Sequence, residues 1–305
     1  MKKVSIVLPI YNGADYMRDA IESCLEQTYR NIELVIVDDC STDETPIILE
    51  AYKRHPKVNI IRHEVNAKLP AALNTGFAHT TGDYLTWTSD DNLFAPTAIE
   101  KMVKYLNDHL GIRFVYTDYY LIDEAGEQIR LVSAGPPSHL EKRCAITSFL
   151  YRREVYETVG DYETDLFRVE DYDYWLRVNE KFKIAWYPKA LYYYRRHASS
   201  LTGTDHLENR ADMFDQVNTR FFGPDPGRKQ RVLTNFYIAE AFESHLRAER
   251  LNVLRFTGRA VRNRPSLLKN KGVISISLQA ILGKTIMAGI RWMLKPITNL
   301  VFKFD

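Results

Sequence analysis

Short apolar runs and amphipathic stretches alternate over the first part of the chain. The runs that indicate strands are brief, rich in β-branched and aromatic residues and bounded by turn residues: Val4–Pro9, Glu33–Asp38, Val58–Arg62, Asp83–Thr88 and Arg113–Thr117. Apolar residues recur at helical spacing between them, in Asp15–Gln27, Thr42–Arg54, Leu69–His79 and Pro96–Asn107. This alternation predicts an α/β domain with a mixed, mainly parallel sheet that is flanked by helices.

The pattern changes twice further along the chain. Residues 140–200 are rich in aromatic residues, and strand patterns surround the helix Tyr172–Glu180; they are Ala145–Tyr151, Lys183–Tyr187 and Leu191–Arg195. From residue 206 the pattern is helical, and Val232–Arg262 predicts a helical hairpin. We therefore predict one domain over 1–205, with halves 1–118 and 119–205, followed by a basic, amphipathic helical extension over 206–305.

The composition is that of a globular protein, with 45% hydrophobic and 26% charged residues among 305. The three cysteines, Cys24, Cys40 and Cys144, are too few and too scattered for a disulfide framework or a zinc site. The chain begins directly with a strand pattern, without the apolar region and cleavage site of a signal peptide. We therefore expect a cytoplasmic protein.

The charge is distributed unevenly. The segment 245–305 carries 12 basic and two acidic residues, a local charge of +10, whereas the first 244 residues carry −8. Within it, Val273–Leu294 is apolar but interrupted by Gln279, Lys284 and Arg291, so a spanning helix is not expected. Basic and apolar residues together favour peripheral contact with the inner face of a membrane. The alternative is packing on the main domain or on a second copy, as a homo-oligomer. Nucleic acid is not expected as a partner, because long apolar stretches separate the charges.

Two adjacent carboxylates, Asp90 and Asp91, follow the strand pattern Asp83–Thr88. Ligands of open α/β sheets bind beyond the carboxyl ends of the strands. Two hard oxygen ligands there suit a divalent cation that also contacts a substrate's phosphates. The alternative is a solvated turn, or the N-cap of the helix that follows.

Three other segments carry candidate chemistry. The first strand ends in the turn Pro9–Gly13, and the second ends in Asp38 and Asp39. Ser41 and Glu44 have the spacing of a capping box, which would explain those two residues but not the aspartates. Finally, Glu170 and Asp171 precede an amphipathic helix. A favourable interaction with the N-terminus of that helix would account for one of the two acids but not for both.

Taken in order, these segments resemble the signatures of the inverting family 2 glycosyltransferases. The matching motifs are Pro9-Ile10-Tyr11-Asn12, Val37-Asp38-Asp39-Cys40-Ser41-Thr42-Asp43, Ser89-Asp90-Asp91 and Glu170-Asp171. The resemblance covers residues 3–202. It implies the GT-A fold, a nucleotide-diphospho-sugar donor and transfer with inversion. It makes 1–118 the nucleotide-sugar-binding half and 119–205 the acceptor-binding half.

The resemblance also implies roles for individual residues. Pro9 and Tyr11 would wall the nucleobase, and Asp39 would accept an N–H of the base. Asp90 would contact the ribose or a metal-bound water, and Asp91 would bind Mn²⁺ or Mg²⁺. Asp171 would be the general base. The remaining candidates lie near the nucleotide, the phosphates or the acceptor: Asn12, Asn66, Lys68, Glu170, Arg195, Arg196 and, as a second metal ligand, His197.

Two positions depart from the family pattern. Many members carry an aspartate where this chain has Thr88, which implies fewer protein ligands for the metal. Many also carry an arginine in place of Leu73, which puts one phosphate or base contact in doubt. The expected donor is a UDP- or dTDP-sugar, with a GDP-sugar as the other option, and the expected acceptor is a saccharide or a lipid-linked molecule.

Other classes of protein fit less well. A dinucleotide dehydrogenase needs Gly-x-Gly-x-x-Gly after the first strand, and a P-loop NTPase needs Gly-x-x-x-x-Gly-Lys-[Ser/Thr]; neither is present. The remaining alternative is a non-catalytic module that binds sugar nucleotides or polysaccharide. Such a module would have no use for a general base at Asp171.

Overall fold

A computed structural model describes residues 1–139, 146–200, 207–246 and 248–282. It divides into two compact units, Met1–Phe214 and Asp215–Asp305. The predicted domain boundary after residue 205 precedes this division. The helix α7 (Leu207–Phe222) spans the division.

The first unit contains a mixed sheet and helices on both of its faces. Its strands are β1 (Val4–Ile10), β2 (Ile32–Asp38), β3 (Val58–Arg62), β4 (Tyr84–Trp87), β5 (Leu93–Phe94), β6 (Phe114–Ile122), β7 (Gln128–Val132), β8 (Phe149–Arg152) and β9 (Ile184–Arg195). Its helices before α7 are α1 (Met17–Leu25), α2 (Thr45–Glu50), α3 (Lys68–Ala78), α4 (Ala98–Asp108), α5 (Arg153–Val159) and α6 (Glu170–Lys181).

In the part of the chain that the structure describes, these strands form one sheet in the order β3-β2-β1-β4-β8-β6-β9-β5, with β7 paired to β6. The strands β3, β2, β1 and β4 are mutually parallel. β8 is antiparallel to both β4 and β6, whereas β6 and β9 are parallel. The predicted α/β class with a mixed, mainly parallel sheet is confirmed.

The central strand β1 is buried along its whole length, as is typical of a strand covered on both faces. Because successive side chains of a strand point to opposite faces, β1 contributes to two cores. Ile6 packs in a core with Ile21 of α1 and Ile99 of α4. Val7 packs in a second core, which includes Trp175 of α6.

Two local predictions differ from the structure. The predicted helix from Thr42 begins at Thr45, and the capping box of Ser41 and Glu44 is wrong, since Glu44 makes no side-chain cap. Ser41 instead donates its amide to Asp38 Oδ1, and its hydroxyl accepts the Asn12 amide. The two strands predicted for 183–187 and 191–195 form one strand, β9, because a register shift against β6 skips Pro188 and pairing resumes at Ala190.

The second unit is helical. The helices α8 (Pro226–Leu246) and α9 (Arg250–Asn263) pack against each other, as the predicted hairpin requires, and α10 (Lys271–Leu282) contacts both. Rings of Tyr237 and Phe256 stack between α8 and α9. No helix within the described ranges is long and apolar enough to cross a membrane. Residues 283–294 of the predicted interfacial segment lie outside the described residues.

The aromatic core beneath α6 generates a test of the fold. Trp175 is 1% exposed, and its ring centroid lies 4.6 Å from Phe149 and 5.1 Å from Phe114. Trp175→Ala leaves a cavity there, so we expect the free energy of unfolding to fall by about 3–5 kcal/mol in urea denaturation. Leu110→Ala, at a side chain that is 73% exposed, should change it by less than about 0.5 kcal/mol. Equal effects of the two substitutions would contradict the packing described.

Candidate functional site

The candidate site lies at the carboxyl edge of the parallel strands. β1 pairs with β2 on one side and β4 on the other, so the loops that follow all three strands lie together. The Asp39 amide donates to Ile10 O at 2.8 Å, and the Thr88 amide donates to Val7 O at 3.0 Å. The sheet thereby brings together the segments around Asn12, Asp39 and Asp90.

The Asp90 carboxylate lies directly against the turn that follows β1. A Cβ on Gly13 would lie 2.1 Å from Asp90 Oδ2, so only glycine permits this approach. Burial raises the pKa of Asp90 to about 8, and the charge of the adjacent Asp91 adds to the increase. The two neighbouring carboxylates therefore repel each other at a site that is poorly solvated.

Asp91 faces a histidine that is distant in sequence. His197 Nε2 lies 3.0 Å from Asp91 Oδ2, while His197 Nδ1 lies 2.8 Å from Ser199 Oγ. The other oxygen, Asp91 Oδ1, is buried and has no hydrogen-bond partner in the described structure. Burial raises the pKa of Asp91, and the contact with His197 opposes that increase. A buried carboxylate oxygen that lacks a partner suits a cation.

Asp91 and His197 thus fit a divalent cation, with one hard oxygen ligand and one imidazole nitrogen. Across the described residues, no group of three or more His, Cys, Asp or Glu side chains is arranged to hold a metal. A cation here would need further ligands from a bound diphosphate or from water, as Mg²⁺ sites with few protein ligands do. Thr88, one of the two positions noted above as departing from the family pattern, is buried, and its hydroxyl bonds the Tyr192 hydroxyl.

Arg195 stabilises the loop that carries Asp91. It is buried, and its guanidinium donates to the carbonyl oxygens of Asp91 at 3.0 Å and Glu124 at 2.9 Å. Its backbone amide donates to Asn92 Oδ1 at 2.8 Å. Arg195 is thus engaged by protein groups, whereas the side chain of the neighbouring Arg196 is exposed.

Tyr16, just before α1, contacts both Arg195 and His197. Its ring centroid is 4.6 Å from the Arg195 guanidinium and 4.9 Å from the His197 ring. The cation and the aromatic face attract each other, which holds both side chains in place. Tyr16 therefore connects the turn after β1 with the segment that carries His197.

Asp39 is surrounded by hydrogen-bond donors from the segment after β3. Its Oδ1 accepts the Ala67 amide at 2.8 Å and lies 2.7 Å from His63 Nδ1. Its Oδ2 accepts the Lys68 amide at 2.8 Å. His63 Nε2 in turn lies 2.9 Å from Thr75 Oγ1 of α3. Asn66 Oδ1 also accepts the Lys68 amide, at 3.1 Å.

Asn12 joins the turns after β1 and β2. Its amide donates to Ser41 Oγ at 3.0 Å, and its Oδ1 accepts the Thr42 amide at 2.8 Å. Pro9 is buried next to Val37 in the sheet, whereas Tyr11 is 48% exposed. Of the two residues predicted to wall a nucleobase, Tyr11 thus offers an accessible ring.

Asp171 lies in the first turn of α6 and is half-buried, and the neighbouring Glu170 is buried. Burial raises the pKa of the Tyr162 hydroxyl well above its usual value, and Asp171 adds a smaller increase. That hydroxyl accepts a hydrogen bond from Trp87 Nε1 at 3.0 Å, and Trp87 ends β4. Asp171 is therefore within electrostatic range of the Tyr162 hydroxyl, which bonds Trp87 at the end of β4, three residues before Asp90.

Backbone strain is concentrated in the same loops. Among the described residues, the non-glycine positions with positive φ are Asn12 (54°), Cys40 (63°), Lys68 (74°), Arg168 (78°) and Ala248 (62°). Asn12 and Cys40 lie in loops next to Tyr11 and Asp39, Arg168 lies three residues before Asp171, and Lys68 begins α3 two residues after Asn66. Conformations of this kind cost about 1–3 kcal/mol each and accumulate at functional sites.

Sequence reasoning missed Gly13, Tyr16, His63 and Asn92. Each acts through a contact with a residue that is distant along the chain, and a single sequence carries no signal for such a contact. Gly13 was visible as the end of a turn, but nothing in the sequence pairs it with Asp90.

Comparison with known proteins identifies the class of protein. Residues 5–160 match the family model for glycosyl transferase family 2, and the chain belongs to that family. One relative is the uncharacterized glycosyltransferase RP339 of Rickettsia prowazekii, which is 33% identical over 227 residues, covering 69% of this chain and 70% of the relative.

Solved structures show the same fold at low sequence identity. Residues 1–349 of Staphylococcus aureus TarS, in complex with UDP-GlcNAc, match with a TM-score of 0.67 and 14% identity, over 94% of this chain and 92% of that fragment. The mannosyltransferase PcManGT of Pyrobaculum calidifontis, in complex with GDP-Man and Mn²⁺, matches with a TM-score of 0.57 and 18% identity, over 93% and 88%. The predicted GT-A fold is confirmed.

The contact between Gly13 and Asp90 can be tested by a double-mutant cycle. Gly13→Ala forces the Asp90 side chain to move, so we expect a loss of about 1–3 kcal/mol in the free energy of unfolding. In an Asp90→Ala background the clashing oxygen is absent, so the part of that loss that comes from Asp90 should vanish, while the contact with Ile10 Cγ2 at 2.9 Å remains. Gly111→Ala, where an added Cβ meets nothing within 4 Å, serves as the matched control. A cost for Gly13→Ala that is independent of residue 90 would argue against the contact.

Proposed function

We propose that this glycosyltransferase is an inverting, metal-assisted enzyme that moves a sugar from a nucleotide-diphospho-sugar to a hydroxyl of a saccharide or lipid-linked acceptor. The observation that carries the proposal is the Asp91–His197 pair beside the Asp90 carboxylate, at the sheet edge that also bears Asp39. Cell-surface polysaccharide or glycoconjugate synthesis is the expected setting.

The nucleotide would bind across the ends of β1 and β2. Tyr11 offers an exposed ring on which the base stacks, Pro9 lies in the strand behind it, and Asp39 accepts an N–H of the base. Asn12 maintains the turn between these residues, and Asn66 and Lys68 lie on the segment that Asp39 holds. The nucleotide sugars bound by TarS and PcManGT support a donor of this class.

The diphosphate would lie near Asp91 and His197, which would hold Mn²⁺ or Mg²⁺. When bound, the cation would neutralise negative charge on the leaving diphosphate. Asp90 would contact the ribose or a water of the cation. The exposed side chain of Arg196 would pair with a phosphate. Arg195 would hold the loop that carries Asp91 through its contact with the Asp91 carbonyl oxygen. The Mn²⁺ in PcManGT supports this assignment.

Asp171 would act as the general base. Its carboxylate takes the proton from the acceptor hydroxyl as that oxygen attacks the anomeric carbon. The bond from that carbon to the diphosphate oxygen breaks on the opposite face, so the configuration is inverted. The buried Glu170 would support Asp171 from the first turn of α6.

Asp171→Asn tests the proposed chemistry. The amide cannot accept the proton, so we expect release of UDP from UDP-sugars to fall by about 10²- to 10⁴-fold, while calorimetric binding of UDP with Mn²⁺ stays within about twofold. Asp165→Asn, an exposed acid before the same helix, is the matched control and should retain the parent rate. Full activity of Asp171→Asn would exclude the assigned base, and loss of UDP binding would assign Asp171 to the donor site instead.

We further propose peripheral contact of segment 245–305 with the cytoplasmic face of the inner membrane. On α10, Ile274, Leu278 and Ile281 are exposed and share one face, at spacings of four and three residues. The local charge of +10 suits anionic lipid, to which each basic residue near the surface contributes about 1 kcal/mol. An apolar face combined with basic residues is typical of interfacial helices.

Vesicle sedimentation tests this contact. The full chain should bind vesicles that contain anionic phosphatidylglycerol more strongly than purely phosphatidylcholine vesicles, and added salt should weaken the binding. Replacing Leu278 and Ile281 together by glutamate should lower binding at least about fivefold. Replacing Ile47 and Leu110, exposed apolar residues of the first unit, should leave it unchanged. Binding that is insensitive to lipid charge and to the α10 change would contradict the proposal.

A further inference from the structure

The two oxygens of the Asp39 carboxylate differ in how much hydrogen-bonding capacity remains. Oδ1 has two partners, the Ala67 amide and His63 Nδ1, whereas Oδ2 has the Lys68 amide within the described structure. A carboxylate oxygen offers two lone pairs. Oδ1 is therefore saturated, and Oδ2 retains one acceptor position.

Access to that position is narrow. The Asp39 side chain is only 4% exposed, and that of His63 is 17% exposed. The Asp39 amide is itself held by Ile10 O, next to the exposed Tyr11. A base that stacks on Tyr11 would therefore reach a carboxylate that can accept one further hydrogen bond.

Nucleobases differ in the donors that they can present to such a carboxylate. Uracil and thymine present a single imide N–H between two carbonyl groups. Guanine presents two adjacent donors, a ring N–H and an exocyclic amino group, which pair best with both oxygens of one carboxylate. Neutral cytosine and adenine have no ring N–H on this edge. A single acceptor position thus matches an imide, whereas guanine would leave one donor without a partner, at a cost of about 1–3 kcal/mol when buried.

We propose that His63, together with the Ala67 amide, selects uracil or thymine over guanine by saturating Asp39 Oδ1. The inference rests on the proposed function, in which Asp39 receives the base of a nucleotide-sugar donor. His63 is a positioning residue in this scheme, since it acts through Asp39 and does not touch the base.

The geometry of His63 suits that role. Asp39 is an acceptor when ionised, so His63 Nδ1 carries the hydrogen of their 2.7 Å contact. The Thr75 hydroxyl, 2.9 Å from Nε2, fixes the ring from the other side. The His63 amide also donates to Asp38 O at 2.9 Å, which ties the residue to the end of β2. His63 is thus held at three points, two on the ring and one on the backbone, and the Asp39 carboxylate cannot rotate freely to expose Oδ1.

Isothermal titration calorimetry of the full chain with Mn²⁺ and four nucleoside diphosphates tests the selection. We expect UDP and dTDP to bind at least about tenfold more tightly than GDP and CDP, the factor that about 1.4 kcal/mol produces. GDP binding equal to or tighter than UDP binding would overturn the inference and leave the proposed function intact. Absence of binding by all four would overturn both.

Substitutions of His63 separate positioning from general stability. His63→Leu frees a lone pair on Oδ1, so the ratio of UDP affinity to GDP affinity should fall at least about fivefold. His63→Asn places an amide N–H near the position of Nδ1 and should restore most of the ratio. His109→Leu, at the end of α4 and remote from these contacts, is the matched control.

Steady-state kinetics supply a second readout. If His63 acts only through the base contact, His63→Leu should raise KM for the donor severalfold while kcat changes less than about twofold. Thermal unfolding of each variant checks that the chain is folded, and His63→Ala, which also lacks the donor to Oδ1, carries the test if His63→Leu is not folded. A variant that folds, lacks the donor to Oδ1 and keeps the parent preference among bases would overturn the proposal.

Discussion

The parallel pairing of β1 with both β2 and β4 is the constraint on which the site depends. It places three loops, which are separated by up to eighty residues in sequence, at one edge of the sheet. The loops then bond to one another, through Asn12 to Ser41 and Thr42, and through the Asp39 amide to Ile10. Acidic residues that would otherwise be unrelated surface charges become neighbours in a shared environment.

The site is locally unfavourable, and the surrounding structure compensates for it. Asp90 and Asp91 repel each other in a poorly solvated position, and several backbone positions nearby have strained dihedral angles. Buried Arg195 holds the Asp91 loop through carbonyl contacts, and Tyr16 packs against both Arg195 and His197. The two apolar cores on either side of the sheet provide the stability that permits such strain.

Much of the fold could be predicted, because the central strands are continuous apolar runs and the helices between them have clear periodicity. The prediction failed where polar side chains bond across the chain: Ser41 is engaged by Asp38 and Asn12, so α2 begins later than its capping residues indicated. The strand β5 was missed because two apolar residues give no periodic signal. The strand β7 was missed although Ile129 and Leu131 alternate with polar residues, and both of these side chains are exposed. The candidate acids were identifiable by residue type and position. The contacts of the Arg195 guanidinium with backbone carbonyl groups were not.

By itself, the sequence determined the α/β class, the family and the chemical types of the candidate site residues, because hydrophobic periodicity and local motifs are properties of adjacent positions. Only the tertiary structure decided that Gly13 makes room for Asp90, that His197 faces Asp91 and that His63 occupies one oxygen of Asp39. These are contacts between distant segments. Their geometry follows from the register of the sheet and the packing of its loops, which a single sequence does not specify.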